Sequence, residues 1–156
     1  AVNSLSKTYS IPGIRVGWVA SNTEVADILR DYRDYTMICA GVFDDMFATL
    51  VLENKEAILE RNRQIVEENL VLMDAWIAQE PKASWIRPAS VSTSFVKLDV
   101  DRPIEEFALE LLQEYGVLVV PGNRFDKESH IRIGYCCDKE VLQKGLEKLS
   151  QFLNKC

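Results

Sequence analysis

From Lys55 to Gln79 the chain carries neither glycine nor proline, and its apolar residues recur at helical spacing. Ile58, Ile65, Val66, Leu70, Met73, Trp76 and Ile77 form one stripe, while Arg61, Arg63, Glu67 and Glu68 belong to a solvated face. This pattern predicts one long helix. Pro81 ends it, because proline lacks the amide hydrogen and its ring clashes with the preceding turn. A helix of that length reaches across a small domain. The chain is therefore expected to divide into a part before about residue 55, the helix over 55–80, and a part over 81–156.

The last part reads as alternating strands and helices. Residues 81–94 are rich in proline and serine, with several strand formers among them. Residues 95–100 alternate apolar and polar, as a half-buried strand does. A helix is expected over 104–115, with Phe107, Leu111 and Leu112 on one face and Gly116 as its C-cap. Residues 117–120 and 131–136 read as two further strands. Asp138 then caps a closing helix whose core face is Val141, Leu142, Leu146, Leu149 and Phe152. The order strand, helix, strand, strand, helix predicts a compact α/β lobe.

In the first part, residues 14–20 read as a buried strand behind a Pro12-Gly13 turn. Asn22 or Thr23 caps a helix with Val25, Ile28, Leu29 and Tyr32 on one face, and a second helix follows over 43–52. Val42, Phe43, Met46 and Phe47 on it suit either a core or a subunit interface.

Composition narrows the function. The 156 residues are 27% charged with a net charge of -6, which argues against non-specific nucleic-acid binding. No run is apolar and long enough to span a membrane. The four cysteines, Cys39, Cys136, Cys137 and Cys156, have no metal-ligand spacing and read as small apolar thiols kept reduced inside a cell. The one histidine, His130, reads as structural, and no metal site is expected. Informative residues begin at Ser4 in a chain without an initiating methionine, so a longer natural polypeptide extending upstream is expected.

The chemistry-bearing stretch is residues 4–17. Ser4 and Ser6 flank Lys7, and Arg15 follows beyond the Pro12-Gly13 turn. A phosphorylated aldehyde cofactor needs an amine for a Schiff base, hydroxyls or amides for its phosphate, and a fixed cation. These residues supply each of them. Arg15 within an apolar run also admits a plain reading as a structural ion pair, since a buried guanidinium needs an anion.

The stretch resembles the lysine-attachment signature of the class I/II aminotransferases, with every constrained position met through Gly17. A second block resembles the family's closing segment. An apolar strand ends in Pro121-Gly122, Phe125 follows, and a strand then carries a single arginine, Arg132. The resemblance implies the C-terminal portion of a fold-type-I α/β pyridoxal-phosphate enzyme: the end of the large domain over 1–54, the connecting helix over 55–80, and the small domain over 81–156. It implies pyridoxal 5'-phosphate as cofactor, Lys7 as its catalytic lysine, and Ser4, Ser6 and Arg15 around its phosphate. It implies Arg132 as the group that binds the substrate α-carboxylate, with neighbouring Arg124 as a competitor. Amino-acid and 2-oxo-acid substrates, a homodimer and a cytoplasmic location follow from the family.

One departure stands out. Where the family often has a small glycine-rich pair near the substrate, this chain has Val91, Ser92, Thr93 and Ser94. The family's ring-stacking aromatic residue and its aspartate for the pyridine nitrogen lie upstream of the lysine, so this segment alone is expected to be inactive. Transamination is the leading expectation. A β-lyase, a cyclising synthase or an acyltransferase of the same fold would carry a similar motif, as would the sensor domain of a transcription regulator.

Overall fold

The computed structural model describes residues 1–155; Cys156 lies outside the described residues. The chain separates into two units, Ala1–Asn62 and Arg63–Cys156. The division falls within the long helix.

In the first unit, β1 (Val2–Ser4) runs into a one-turn helix, α1 (Leu5–Thr8), and a 3-10 turn at Pro12–Ile14 leads to β2 (Gly17–Val19). The two strands pair antiparallel, with Ser4 opposite Gly17. The strand expected over residues 14–20 is thus shorter and begins later. Pro12 starts a 3-10 turn and Arg15 adopts a left-handed backbone (φ 48°), so pairing begins only at Gly17. Nor is the strand buried: its one partner is a three-residue strand, and Trp18 and Val19 are exposed.

Helix α2 (Thr23–Thr36) starts where Asn22 accepts from the Val25 amide at 3.1 Å, satisfying one of the orphan donors of its first turn. Helix α3 (Val42–Glu53) follows. The expected stripe on α2 and the apolar residues of α3 lie on exposed surface, including Val42, Phe43, Met46 and Phe47. Only Leu5 and Ala48 of this unit reach full burial.

Helix α4 (Lys55–Gln79) is continuous, as its sequence requires. The second unit contains β3 (Ala83–Trp85), β4 (Thr93–Leu98), α5 (Ile104–Tyr115), β5 (Val120–Pro121), β6 (His130–Gly134) and α6 (Lys139–Leu153). The strands form one antiparallel sheet in the order β3-β4-β6-β5. Sequence boundaries for β4 and β6 were off by one or two residues, and β3 lies hidden in the proline- and serine-rich stretch. The strand expected over 117–120 pairs only at Val120 and Pro121.

One core unites the sheet with the helices. Val96, Leu98, Ile131 and Ile133 from the strands meet Leu70, Met73 and Trp76 of α4, Ile104, Phe107 and Leu111 of α5, and Leu142, Leu146, Leu149 and Phe152 of α6. Burying each such side chain contributes about 1.5–3 kcal/mol. Two expected core residues point outward instead: Leu112 and Val141 are exposed, each one position past the stripe of its helix. Gly116 ends α5 in the left-handed conformation (φ 67°), and its amide donates to the Leu112 carbonyl at 3.0 Å.

Polar groups inside this unit are paired with few exceptions. Trp76 Nε1 donates to Ser150 Oγ at 2.9 Å, and Ser150 Oγ donates in turn to Glu80 Oε2 at 2.7 Å. Ser94 Oγ is buried without a partner. An unsatisfied hydroxyl in a core costs roughly 1–3 kcal/mol. Replacement Ser94→Ala is therefore expected to leave stability unchanged or raise it, with Ser150→Ala lowering it by about 1 kcal/mol. Urea denaturation curves of the protein check both signs.

Candidate functional site

The lysine turn of the first unit is built around Leu5, which is fully buried. Its amide donates to the Val16 carbonyl at 3.1 Å, and its carbonyl accepts from the Ile11 amide at 3.4 Å. Ser4 caps α1, its side chain accepting from the Ser6 amide at 3.4 Å. Asn62 Nδ2 donates to the Thr8 carbonyl at 3.1 Å and fastens the end of the turn. With Leu5 held inward, Lys7 two positions later is exposed, and Ser4 and Ser6 are half-buried.

Gly17 permits this geometry. A Cβ there would stand 2.8 Å from the Asn3 carbonyl oxygen and 3.1 Å from the Ser4 Cβ. A side chain at Gly17 would therefore push away the strand that carries Ser4. Among the described residues four non-glycine residues have a left-handed backbone, and two of them, Ser10 and Arg15, lie in this stretch. Such conformations cost of order 1–3 kcal/mol and collect at functional sites.

Arg15 is exposed, not buried, and Nη1 donates to the Pro12 carbonyl at 2.7 Å. The structural ion pair weighed from sequence is absent: no carboxylate pairs with Arg15 among the described residues. The first acidic residue of the chain is Glu24, so nothing within residues 1–23 neutralises Lys7 and Arg15. Two hydroxyls, an amine and a guanidinium with further donors to spare form a set that fits a phosphorylated aldehyde. Ser4, Ser6 and Lys7 share one turn, and Arg15 is tied to it through the neighbouring Val16.

The second unit presents Arg132. Strand β6 buries Ile131 and Ile133 and exposes Arg132 between them. Its neighbours across the strands are Phe95 and Val120. The guanidinium carbon lies 5.1 Å from the centre of the Phe125 ring, a cation–π contact. Phe95 meets Phe125 edge-on at 5.7 Å and stacks on His130 at 5.0 Å. No carboxylate pairs with Arg132 among the described residues, which leaves its donor fork available for an incoming anion. Arg124 differs, since it is bound to Glu105 in the first turn of α5. Asn123 Nδ2 donates to the same carboxylate at 2.8 Å.

Sequence reasoning missed what holds Phe125 in place. Gly122 is buried, and a Cβ on it would meet the Lys127 and His130 carbonyl oxygens at 2.3 and 2.4 Å. The 3-10 turn Gly122–Phe125 closes through the Lys127 amide, which donates to the Gly122 carbonyl at 3.0 Å. The Pro-Gly pair was the available signal, though it indicated a turn and not a close approach.

Cys39, Cys136 and Cys137 are free and exposed, and no metal cluster occurs among the described residues. Among those residues no helix is long and apolar enough to cross a membrane.

Comparison with known proteins gives this geometry a context. The family model described as aminotransferase class I and II matches residues 1–149. A PLP-dependent aminotransferase from Streptococcus suis superimposes with a TM-score of 0.97 at 67% identity, covering 99% of this chain and 41% of that one. A (5-formylfuran-3-yl)methyl phosphate transaminase from Methanocaldococcus jannaschii is 30% identical over 99% of this chain and 42% of its own length. Capreomycidine synthase from Streptomyces vinaceus is 28% identical over 96% of this chain and 39% of its own. The chain thus spans about two fifths of the length of the curated relatives it matches.

Two predictions follow from the packing around Arg132. Gly122→Ala is expected to destabilise the protein by about 2 kcal/mol or more, because backbone oxygens on both sides cannot retreat. Guanidinium denaturation reads it. The His130 pKa is lowered from its ordinary 6.5, first by burial and then by the Lys127 and Lys97 charges. The unfolded chain therefore binds a proton more readily than the folded one as pH falls through about 6.5. This group's contribution is fully present above that pH and declines below it. A His130→Gln variant is expected to show a flatter stability profile between pH 7 and 5.

Proposed function

Because the chain belongs to the class I and II aminotransferase family, whose cofactor is pyridoxal phosphate, we propose that the full-length protein transfers an amino group between an amino acid and a 2-oxo acid. The observation that carries this reading is the lysine turn. An outward-facing lysine sits in a capped turn with two hydroxyls, an arginine is tied to that turn through its neighbour Val16, and residues 1–23 contain no acid.

When bound, the cofactor supplies an electron sink for the substrate α-carbon. Lys7 Nζ would be the amine that holds its aldehyde and the base that moves the substrate α-proton. Ser4 and Ser6 donate to the phosphate, and Arg15 neutralises it. Arg132 binds the substrate α-carboxylate, for which its planar fork is suited. Phe125 packs against its guanidinium. Arg124 is occupied by Glu105 and takes no part. In this reading residues 1–54 belong to a large domain, the helix over 55–80 connects, and residues 81–156 form the small domain. The exposed apolar side chains of α3 suit burial in a homodimer.

A second reading keeps the site and changes the reaction. The likeness to capreomycidine synthase, at 28% identity, supports a synthase on the same cofactor.

Oxo-acid dependence separates the two. Under transamination, turnover of an amino acid by the full-length protein stops without a 2-oxo acid and shows ping-pong kinetics. Repeated turnover that continues without any oxo acid overturns it. Arg132→Lys is expected to lower kcat/KM by roughly 100-fold, the loss of a bidentate charged pair, with Arg124→Lys changing it less than about twofold.

A further inference from the structure

The segment before β4 is not held by the sheet alone. The Tyr135 amide donates to the Ser92 carbonyl at 3.1 Å, extending the β4–β6 pairing by one bond beyond Thr93 and Gly134. The Tyr135 hydroxyl donates to the Val91 carbonyl. One residue thus grips two successive carbonyls from two directions. Tyr135 is itself fully buried. Its own carbonyl accepts from Asn69 Nδ2 at 2.6 Å, and the same amide donates to the Cys137 carbonyl at 2.9 Å. Asn69 is a buried polar residue in the apolar stripe of α4, at 2% exposure. Both donors of its amide are used on the strand exit that follows Arg132.

A buried asparagine in a helix stripe costs desolvation unless its groups are paired. Leucine or methionine would fill the position more favourably. What the asparagine supplies is direction: it fixes residues 135–137, and through the tyrosine hydroxyl it fixes Val91 and Ser92. Arg132 lies in β6 three positions before Tyr135, which follows the strand's last residue, and pairs with Phe95, four positions after Val91.

We propose that Asn69 and Tyr135 are positioning residues that clasp Val91 and Ser92 to the exit of the strand that carries Arg132, and thereby set how tightly the amino-acid substrate binds. This rests on the reading of Arg132 as the α-carboxylate residue. The clasp acts on substrate affinity, because it fixes the end of the strand that carries Arg132, whereas the proton is moved by Lys7. Loosening it raises KM with kcat little changed.

The test uses the full-length protein with Tyr135→Phe, which keeps the buried ring and removes only the hydroxyl. Ser150→Ala serves as a control that breaks a buried hydrogen bond elsewhere in the same unit. Amide exchange at residues 91–93 and steady-state kinetics with the twenty common L-amino acids and 2-oxoglutarate are measured. Tyr135→Phe is expected to speed exchange at residues 91–93 by roughly tenfold and to raise KM for the best amino acid by about five- to tenfold, with kcat within about twofold. Ser150→Ala lowers thermal stability and leaves KM unchanged. Unchanged exchange in Tyr135→Phe overturns the clasp, and faster exchange with unchanged KM overturns its role in binding. A KM shift of the same size in Ser150→Ala overturns it too, by reducing the effect to lost stability. If wild-type protein turns over no amino acid, the transaminase reading falls and this inference with it. Wild-type turnover sensitive to Arg132→Lys, beside an inert Tyr135→Phe, removes this inference alone.

Discussion

Successive residues of a strand face opposite ways, so burying Ile131 and Ile133 in the core of the second unit obliges Arg132 to project from the other face. The register with β4 then brings Phe95 beside it, and the turn after Pro121 sets Phe125 against its guanidinium. The core therefore does more than stabilise this unit. A shift of β6 by one residue would bury a cation and expose two isoleucines, so register and charge placement enforce one another. Helix α4 contributes Leu70, Met73 and Trp76 to the same core and, through Asn69, the polar anchor that fixes where β6 ends.

The lysine turn follows a different logic. It has little core of its own, and its shape comes from local constraints. Leu5 is buried, Pro12 starts a tight turn, Gly17 allows two strands to approach, and Ser10 and Arg15 hold left-handed backbones. Together these turn Lys7 outward within a short segment rich in donors and free of acids. Strain and unneutralised charge in one place are unfavourable for folding, which is the usual mark of a site kept for its chemistry.

The two blocks differ in how far they could be read from sequence. Helix α4 and helix α5 were legible because periodicity, proline and glycine all agree there. The alternation around Arg132 was legible for the same reason. Residues 14–20 misled, because a β-branched apolar run looks like a buried strand while the preceding proline and the left-handed arginine delay pairing. Leu112 and Val141 misled because helical spacing defines a stripe but not its edge. Strand β3 was hidden by prolines and serines around a run of three residues. The role of Gly122 and the grip of Tyr135 on Val91 depend on backbone oxygens brought close by tertiary packing, and no local pattern announces them. In the lysine block the residue types pointed to a phosphate-bearing cofactor, whereas the turn that displays Lys7 became visible only in three dimensions.

The most direct test of this account is borohydride reduction of the full-length protein loaded with pyridoxal phosphate, followed by peptide mapping. The account predicts a single stable adduct on Lys7, lost when Lys7 is replaced by alanine. An adduct on another lysine, or labels scattered over surface lysines with Lys7 unmodified, would contradict it.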